Sequence, residues 1–187
     1  MRVALAQINP VVGDLDFNTN KIIDATRECV KRGVSLLVTP ELSLTGYPPE
    51  DLMFREDFLN EVKHKLETLA ETVGKEAPNL TIVIGHPCLK AQENLLYNSA
   101  SVFKGCEFIG RYSKLELPNY AVFDERRYFA SDGSPLVFNC DQVSFGINIC
   151  EDIWFSRAPT LTRAAGANVL IVLNVFGIRF FVFFMYI

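Results

Sequence analysis

The amino-acid sequence predicts a layered α/β fold built on a mixed sheet. Two long segments carry apolar residues at helical spacing, and short continuous apolar runs alternate with them in the first half of the chain. In the second half, two pairs of apolar runs are separated by short turns, as in antiparallel hairpins. Alternating strands and helices favour parallel pairing, whereas hairpins add antiparallel strands, so we expect both kinds of pairing.

The first half predicts strand, helix, strand, helix and strand, in that order. Asn18 is a suitable N-cap for the first helix, and Gly33 stops it. The apolar run over 34–38 is typical of a strand that is buried on both faces. The second helix exposes charged pairs four residues apart, which support it. The predicted elements are strand 2–8, helix 18–33, strand 34–38, helix 58–73 and strand 80–85.

The second half predicts two hairpins, one helix and a last strand. The first hairpin turns at Lys104-Gly105, and the second turns around Asp141. Gly166 ends the helix that follows. No change of composition between these elements marks a domain boundary. The two hairpins are expected at 97–103 with 107–111 and at 136–138 with 143–149. The helix is expected at 158–165 and the last strand at 169–173.

Composition and charge exclude several classes of protein. The 187 residues are 49% hydrophobic, which excludes intrinsic disorder, and 18 basic residues scattered among 22 acidic ones argue against a nucleic-acid surface. Five dispersed cysteines without a C-x-x-C pair indicate free thiols in a reducing compartment, so we expect a cytoplasmic protein without disulfides. His64 lies on a polar helix face and His86 suits a structural role, so no metal site is expected.

The last residues differ from the rest of the chain. Six aromatic side chains lie among the last 12 residues, and Arg179 is the only charged side chain after Arg163. The apolar stretch over 169–187 nearly reaches the length of a membrane span. However, Asn174 and Arg179 interrupt it, and an arginine at mid-helix costs about 2.5–3.5 kcal/mol on insertion scales. A buried strand followed by an atypical tail is favoured, and membrane attachment is the weaker alternative.

Three side chains that could take part in catalysis follow predicted strands. Glu41 comes after the second strand, Lys114 after the first hairpin, and Cys150 at the end of the second hairpin. Taken singly, each has an ordinary explanation: a solvated acid, a surface lysine and a buried structural cysteine. Asp152 is expected at the start of a helix, where the helix dipole favours it. Chemistry gathers at strand ends in α/β folds, so the first three together are more informative.

These three side chains match the needs of amide hydrolysis through a thioester. That reaction requires a nucleophile, a base that deprotonates it and a positive donor for the oxyanion, and Cys150, Glu41 and Lys114 supply them in that order. A free thiol with a pKa of about 8.5 is only slightly ionised at neutral pH, so a nearby base and cation matter. Spacing alone does not show that the groups meet.

Three segments resemble the signature motifs of the nitrilase, or carbon–nitrogen hydrolase, superfamily: 40–48 (PELSLTGYP), 114–120 (KLELPNY) and 148–152 (NICED). The similarity runs from Met1 to about Asn174. A longer segment resembles the form found in the glutamine-dependent NAD synthetase family, and two shorter ones are typical of that family's amidase domain. The longer segment is 117–129 (LPNYAVFDERRYF), and the shorter ones are 47–52 (YPPEDL) and 97–100 (YNSA).

The resemblance implies a role for five residues. Cys150 would attack the side-chain carboxamide of L-glutamine, Glu41 would take the proton, and Lys114 would stabilise the tetrahedral intermediate. Tyr120 matches a position that contacts glutamine. Glu125 matches a second glutamate that supports the triad, and a purely structural role for it stays open.

The resemblance also implies a fold and partners. It implies a four-layer α-β-β-α sandwich that is incomplete at its C-terminus, with a partial amidase domain over 1–174 and an atypical tail over 175–187. The family's synthetase domain, which binds ATP, Mg²⁺ and deamido-NAD and receives the ammonia, is expected to be absent, because no Gly-rich phosphate loop occurs. No cofactor is therefore expected here, and complete members are expected to be homo-oligomers.

Two alternatives stay open at this point. The chain suits a free-standing amidase or nitrilase that acts on another small amide, although the segment over 120–129 argues against it. It also suits an inactive fragment, because the family normally continues with a polar segment after Asn174.

Overall fold

A computed structural model of the chain describes residues 1–90, 92–121 and 123–175. All but the first residue of the predicted tail over 175–187 lies outside the described residues. The described α-helices are α1 (Leu15–Lys31), α2 (Glu56–Glu76) and α3 (Arg157–Ala164). The described strands are β1 (Val3–Leu5), β2 (Leu36–Val38), β3 (Thr81–Lys90), β4 (Leu95–Lys104), β5 (Glu107–Ser113), β6 (Val137–Cys140), β7 (Val143–Ile149) and β8 (Val169–Leu173).

The described strands form two sheets. In the larger sheet, β1, β2 and β3 are parallel neighbours, and β4 and β5 continue the sheet as antiparallel neighbours. In the smaller sheet, β6 pairs antiparallel with β7, and β7 pairs parallel with β8. The predicted mixture of parallel and antiparallel pairing is confirmed in both.

Two apolar cores separate the layers. One lies between the larger sheet and the helices α1 and α2, and the other lies between the two sheets. Strand β2 belongs to both cores, because Leu37 faces the helices whereas Leu36 and Val38 face the smaller sheet. Helix α3 covers the far side of the smaller sheet so closely that a Cβ at Gly146 would lie 2.1 Å from Thr162 Cγ2. The four-layer α-β-β-α sandwich is confirmed.

Helix α1 begins earlier than the sequence predicted. Asp14 is its N-cap, and the Asp14 carboxylate accepts a hydrogen bond of 3.0 Å from a backbone N–H in the first turn. Asn18 lies fully buried inside the helix instead. Its Nδ2 donates to the carbonyls of Val11 and Leu44 at 2.8 and 3.1 Å. The residue that resembles a cap is therefore a tertiary anchor, which a local sequence pattern does not reveal.

The remaining elements follow the predicted order. The last strand has the predicted bounds, and both hairpins are present. His64 is exposed on α2, as predicted. His86 is buried in β3, where burial and the nearby Arg111 lower its pKa to about 3. Within the described part of the chain, no helix combines the length and the apolar character that a membrane crossing needs.

Candidate active site

Glu41 lies in the loop directly after β2, at the carboxyl end of a parallel strand. The loop lies against β3, where the backbone N–H of Leu44 donates to the carbonyl of Gly85 at 3.1 Å. A side chain at position 85 would collide with this loop, because a Cβ there would lie 2.2 Å from the carbonyl oxygen of Pro40. The glycine thus allows Glu41 to lie fully buried at the end of the sheet.

Lys114 follows the end of β5 and reaches two carboxylates. Its Nζ donates to Glu41 Oε1 at 2.7 Å and to the two oxygens of Glu125 at 2.9 and 3.1 Å. The exposed fraction of each of the three side chains is 0 or 1%. The structure therefore brings Glu41 and Lys114 together and adds Glu125 to the same ammonium group. We call these three residues the charge cluster.

The charge cluster places two carboxylates around one ammonium group away from water. Burial alone lowers the pKa of Lys114, but the charges of Glu41 and Glu125 outweigh it and raise that pKa. Burial and the nearby Glu41 carboxylate raise the pKa of Glu125 to about 7, against the opposing effect of Lys114. Because two like charges at one site repel, a proton on Glu125 relieves the cluster near neutral pH.

Cys150 directly follows β7 and begins a short 3₁₀ helix, Cys150–Trp154. Its backbone adopts the left-handed conformation (φ 46°), which costs about 1–2 kcal/mol for a residue with a side chain. Burial chiefly, and then the Glu41 carboxylate, raise the pKa of the Cys150 thiol, while Lys114 opposes them. The resting group is therefore a thiol, which needs a neighbouring base to become a nucleophile.

Asp152 joins the two sheets at the site. One of its oxygens accepts hydrogen bonds of 3.0 and 2.8 Å from two backbone N–H groups just after Lys114. The other accepts bonds of 2.8 Å from the Tyr112 hydroxyl and from the backbone N–H of Ile149, next to Cys150. Asp152 does lie in the first turn of the short helix, as predicted, but the sequence did not reveal this link between the sheets.

Two further polar residues at the charge cluster were missed as site residues. Asn98 of β4 is fully buried, and its Nδ2 donates to Glu41 Oε1 at 2.8 Å. The Tyr47 hydroxyl donates to Glu125 Oε1 at 3.0 Å. The sequence holds a signal for Asn98, because an amide inside an otherwise apolar and small-residue strand needs a polar partner.

Tyr120 lies beside the charge cluster rather than in it. Its side chain is 46% exposed, and its hydroxyl donates to Glu151 Oε2 at 2.9 Å. Both residues line a cavity of about 220 Å³, whose wall also includes Arg126 and Phe155. Glu151 directly follows Cys150 in the chain.

Comparison with known proteins agrees with the fold. The family of carbon–nitrogen hydrolases matches residues 2–180 of the sequence. The chain belongs to the carbon–nitrogen hydrolase family.

Curated relatives carry a more specific name. The sequence is 42% identical over 174 residues to the glutamine-dependent NAD(+) synthetase of Thermotoga maritima, and 36% identical over 173 residues to that of Acinetobacter baylyi. These matches cover 93% and 92% of this chain but only 29% and 31% of the relatives. The chain therefore spans less than a third of the length of these relatives.

Solved structures show the same fold. The glutamine-dependent NAD+ synthetase of Acinetobacter baumannii, in complex with ADP, superposes with a TM-score of 0.85 at 36% identity, and the match covers 95% of this chain and 32% of that one. An amidase from Nesterenkonia sp. superposes with a TM-score of 0.78 at 23% identity, over 93% of this chain and 64% of that one. At that identity the second likeness supports the fold alone.

Proposed function

We propose that this chain hydrolyses the side-chain amide of L-glutamine through a thioester on Cys150. The observation that carries the proposal is the buried charge cluster of Glu41, Lys114 and Glu125 next to a strand-end thiol. Burying three ionisable groups at one point is costly, and such arrangements concentrate at catalytic sites.

The first half-reaction forms the thioester. Glu41 takes the proton of the Cys150 thiol while the sulfur attacks the carboxamide carbon, and a tetrahedral oxyanion forms. Lys114 stabilises this oxyanion, and a donor in that role contributes about 2.7–4 kcal/mol. The intermediate collapses when Glu41 returns its proton to the amide nitrogen. The carbon–nitrogen bond then breaks, ammonia leaves and the glutamyl thioester remains.

The second half-reaction releases glutamate. Glu41 takes a proton from water as the water oxygen attacks the thioester carbon. The carbon–sulfur bond breaks, and the proton held by Glu41 returns to the sulfur of Cys150. One carboxylate serves both steps because Oε1 is held by Lys114 whereas Oε2 has no hydrogen-bond partner in the described structure.

Glutamine is the proposed substrate for two reasons. The curated relatives that match most of this chain are named glutamine-dependent NAD(+) synthetases. In addition, Tyr120 and Glu151 line one cavity, where the Glu151 carboxylate can attract the α-ammonium group of an amino acid. We therefore keep Tyr120 as the proposed substrate-binding residue.

The wider reaction is proposed from the same relatives. Residues 1–174 would form the amidase part, and the ammonia would serve an ATP- and Mg²⁺-dependent conversion of deamido-NAD to NAD in a synthetase part that these 187 residues do not contain. A homo-oligomeric, cytoplasmic enzyme fits this role.

Glutaminase assays with matched cysteine variants test the proposal. Cys150→Ala should abolish ammonia release from glutamine, whereas Cys106→Ala, at an exposed thiol, should leave it unchanged. Unchanged activity in Cys150→Ala would refute the mechanism. A panel of small amides in which glutamine is the poorest substrate would favour a general amidase instead.

A further inference from the structure

Asn98 contacts every member of the charge cluster. Its Nδ2 donates to Glu41 Oε1 at 2.8 Å and makes a longer contact of 3.5 Å with Glu125 Oε2. Its backbone carbonyl accepts a hydrogen bond of 2.8 Å from the backbone N–H of Lys114. A single residue of β4 thus holds both carboxylates through its side chain and the lysine through its main chain.

Burying an amide side chain at position 98 costs free energy. Asn98 is fully buried, and its Oδ1 has no hydrogen-bond partner in the described structure. A buried polar atom without a partner costs about 1–3 kcal/mol. Ala100 and Val102 are the next residues on the same face of β4, and both pack in the apolar core between the sheets. An apolar residue at position 98 would continue that core, so packing does not explain the amide.

The hydrogen bond from Asn98 acts on one particular atom of Glu41. Oε1 accepts from both Lys114 and Asn98, whereas Oε2 accepts from neither. Two donors on the same oxygen fix the rotation of the carboxylate, which leaves Oε2 as the atom free to accept a proton. With Lys114 alone, the ammonium could be shared equally between both oxygens.

We propose that Asn98 is a positioning residue that holds Glu41 by Oε1 and so directs Oε2 to the proton of the Cys150 thiol. The inference rests on the proposed function, in which Glu41 is the base. Asn98 acts through Glu41 and touches no reacting atom. The charged and titratable groups around this carboxylate include Lys114, Glu125, Cys150 and Tyr47.

Three variants test the proposal. Asn98→Ala removes the donor, and Asn98→Asp keeps the shape while replacing the donor with an acceptor. Ser101→Ala is the control, because Ser101 lies on the same strand, is fully buried and hydrogen-bonds to His86 and Arg111 away from the cluster. The measurements are kcat and KM for glutamine, the rate of iodoacetamide alkylation of Cys150, and thermal unfolding.

The proposal predicts a selective effect on chemistry. Both Asn98 variants should lower kcat about 10- to 100-fold, the range of a misplaced acid–base group, with KM changed less than threefold. Alkylation of Cys150 should slow in parallel, and Ser101→Ala should show none of these changes.

Two outcomes would overturn it. The first is an Asn98→Ala protein with the wild-type kcat and the wild-type rate of Cys150 alkylation. The second is that Ser101→Ala, at the same loss of thermal stability, loses as much kcat as the Asn98 variants. That result would indicate that Asn98 has only a structural role. The proposed function fails separately, when Cys150→Ala retains glutaminase activity.

Discussion

The two sheets contribute to the site in different ways. The larger sheet and its loops supply charged side chains that hold one another, because Lys114 bridges Glu41 and Glu125, and Asn98 and Tyr47 add hydrogen bonds. The smaller sheet supplies one uncharged thiol, which is placed by a left-handed backbone at Cys150. One side of the site is fixed by charge and the other by main-chain geometry.

This difference shows where the site is vulnerable. Removing a member of the charge cluster leaves a buried charge without its partner, so both stability and activity suffer. The thiol side carries no such charge, and its position depends on Asp152 and on the apolar core between the sheets. Stability and catalysis should therefore be separable at Cys150 but coupled at Lys114.

Lys114→Met should have the largest effect on stability. It leaves Glu41 and Glu125 buried together without a cation, and breaking a buried ion pair costs about 3–5 kcal/mol. Urea denaturation gives the free energy of unfolding. Lys63→Met, at an exposed lysine on α2, is the control and should lie close to wild type. A small loss for Lys114→Met would show that the cluster does not behave as a buried ion pair.

Glu125→Gln should change how stability depends on pH. The pKa of Glu125 rises from an ordinary value of 4.5 to about 7 on folding, so the folded protein holds this proton more tightly. The resulting stabilisation is fully present below about pH 4.5 and is lost as pH rises through about 7. The loss amounts to about 3 kcal/mol. Unfolding measured across this range should show a flatter profile in the variant, and an unchanged slope would contradict the assignment.

Asp152→Asn should weaken the link between the sheets. The amide places a donor against groups that already donate to Asp152, so we expect a loss of about 1–3 kcal/mol in the free energy of unfolding. Glutaminase activity should fall further than stability explains, because the distance between the thiol and Glu41 is no longer fixed. Asp24→Ala, at an exposed carboxylate, provides the comparison. Full activity in Asp152→Asn would show that the link is dispensable.

Tyr47→Phe should have the smallest effect. It removes one hydrogen bond to Glu125, typically worth about 0.5–1.5 kcal/mol, and leaves the ion pairs with Lys114 in place. Denaturation of the variant, alone and combined with Glu125→Gln, measures this contribution. Additive losses would show that the two groups do not interact.

Much of the fold could be predicted from the sequence because its signals are local. The apolar runs at β2 and β8 and the helical spacing in α2 predicted elements that the structure confirms. The predicted start of α1 was wrong because Asn18 hydrogen-bonds to the carbonyls of Val11 and Leu44. Only the folded chain provides these contacts.

The site could be predicted only in part. Glu41, Lys114 and Cys150 follow strands and lie in segments that resemble family motifs, so they were candidates from the start. Asn98 and the bridging contacts of Asp152 depend on how β4 is registered beside β5 and on how the two sheets face each other. Neither the strand register nor the way the sheets face each other can be predicted from the spacing of residues in the sequence.

The most direct test of the account is a search for the thioester on Cys150. The chain is mixed with glutamine and quenched in acid, and its peptides are analysed by mass spectrometry. The account predicts one glutamyl group on the peptide that contains Cys150, and no adduct in Cys150→Ala. Hydrolysis of glutamine without any adduct on Cys150, or with the adduct on another residue, would contradict it.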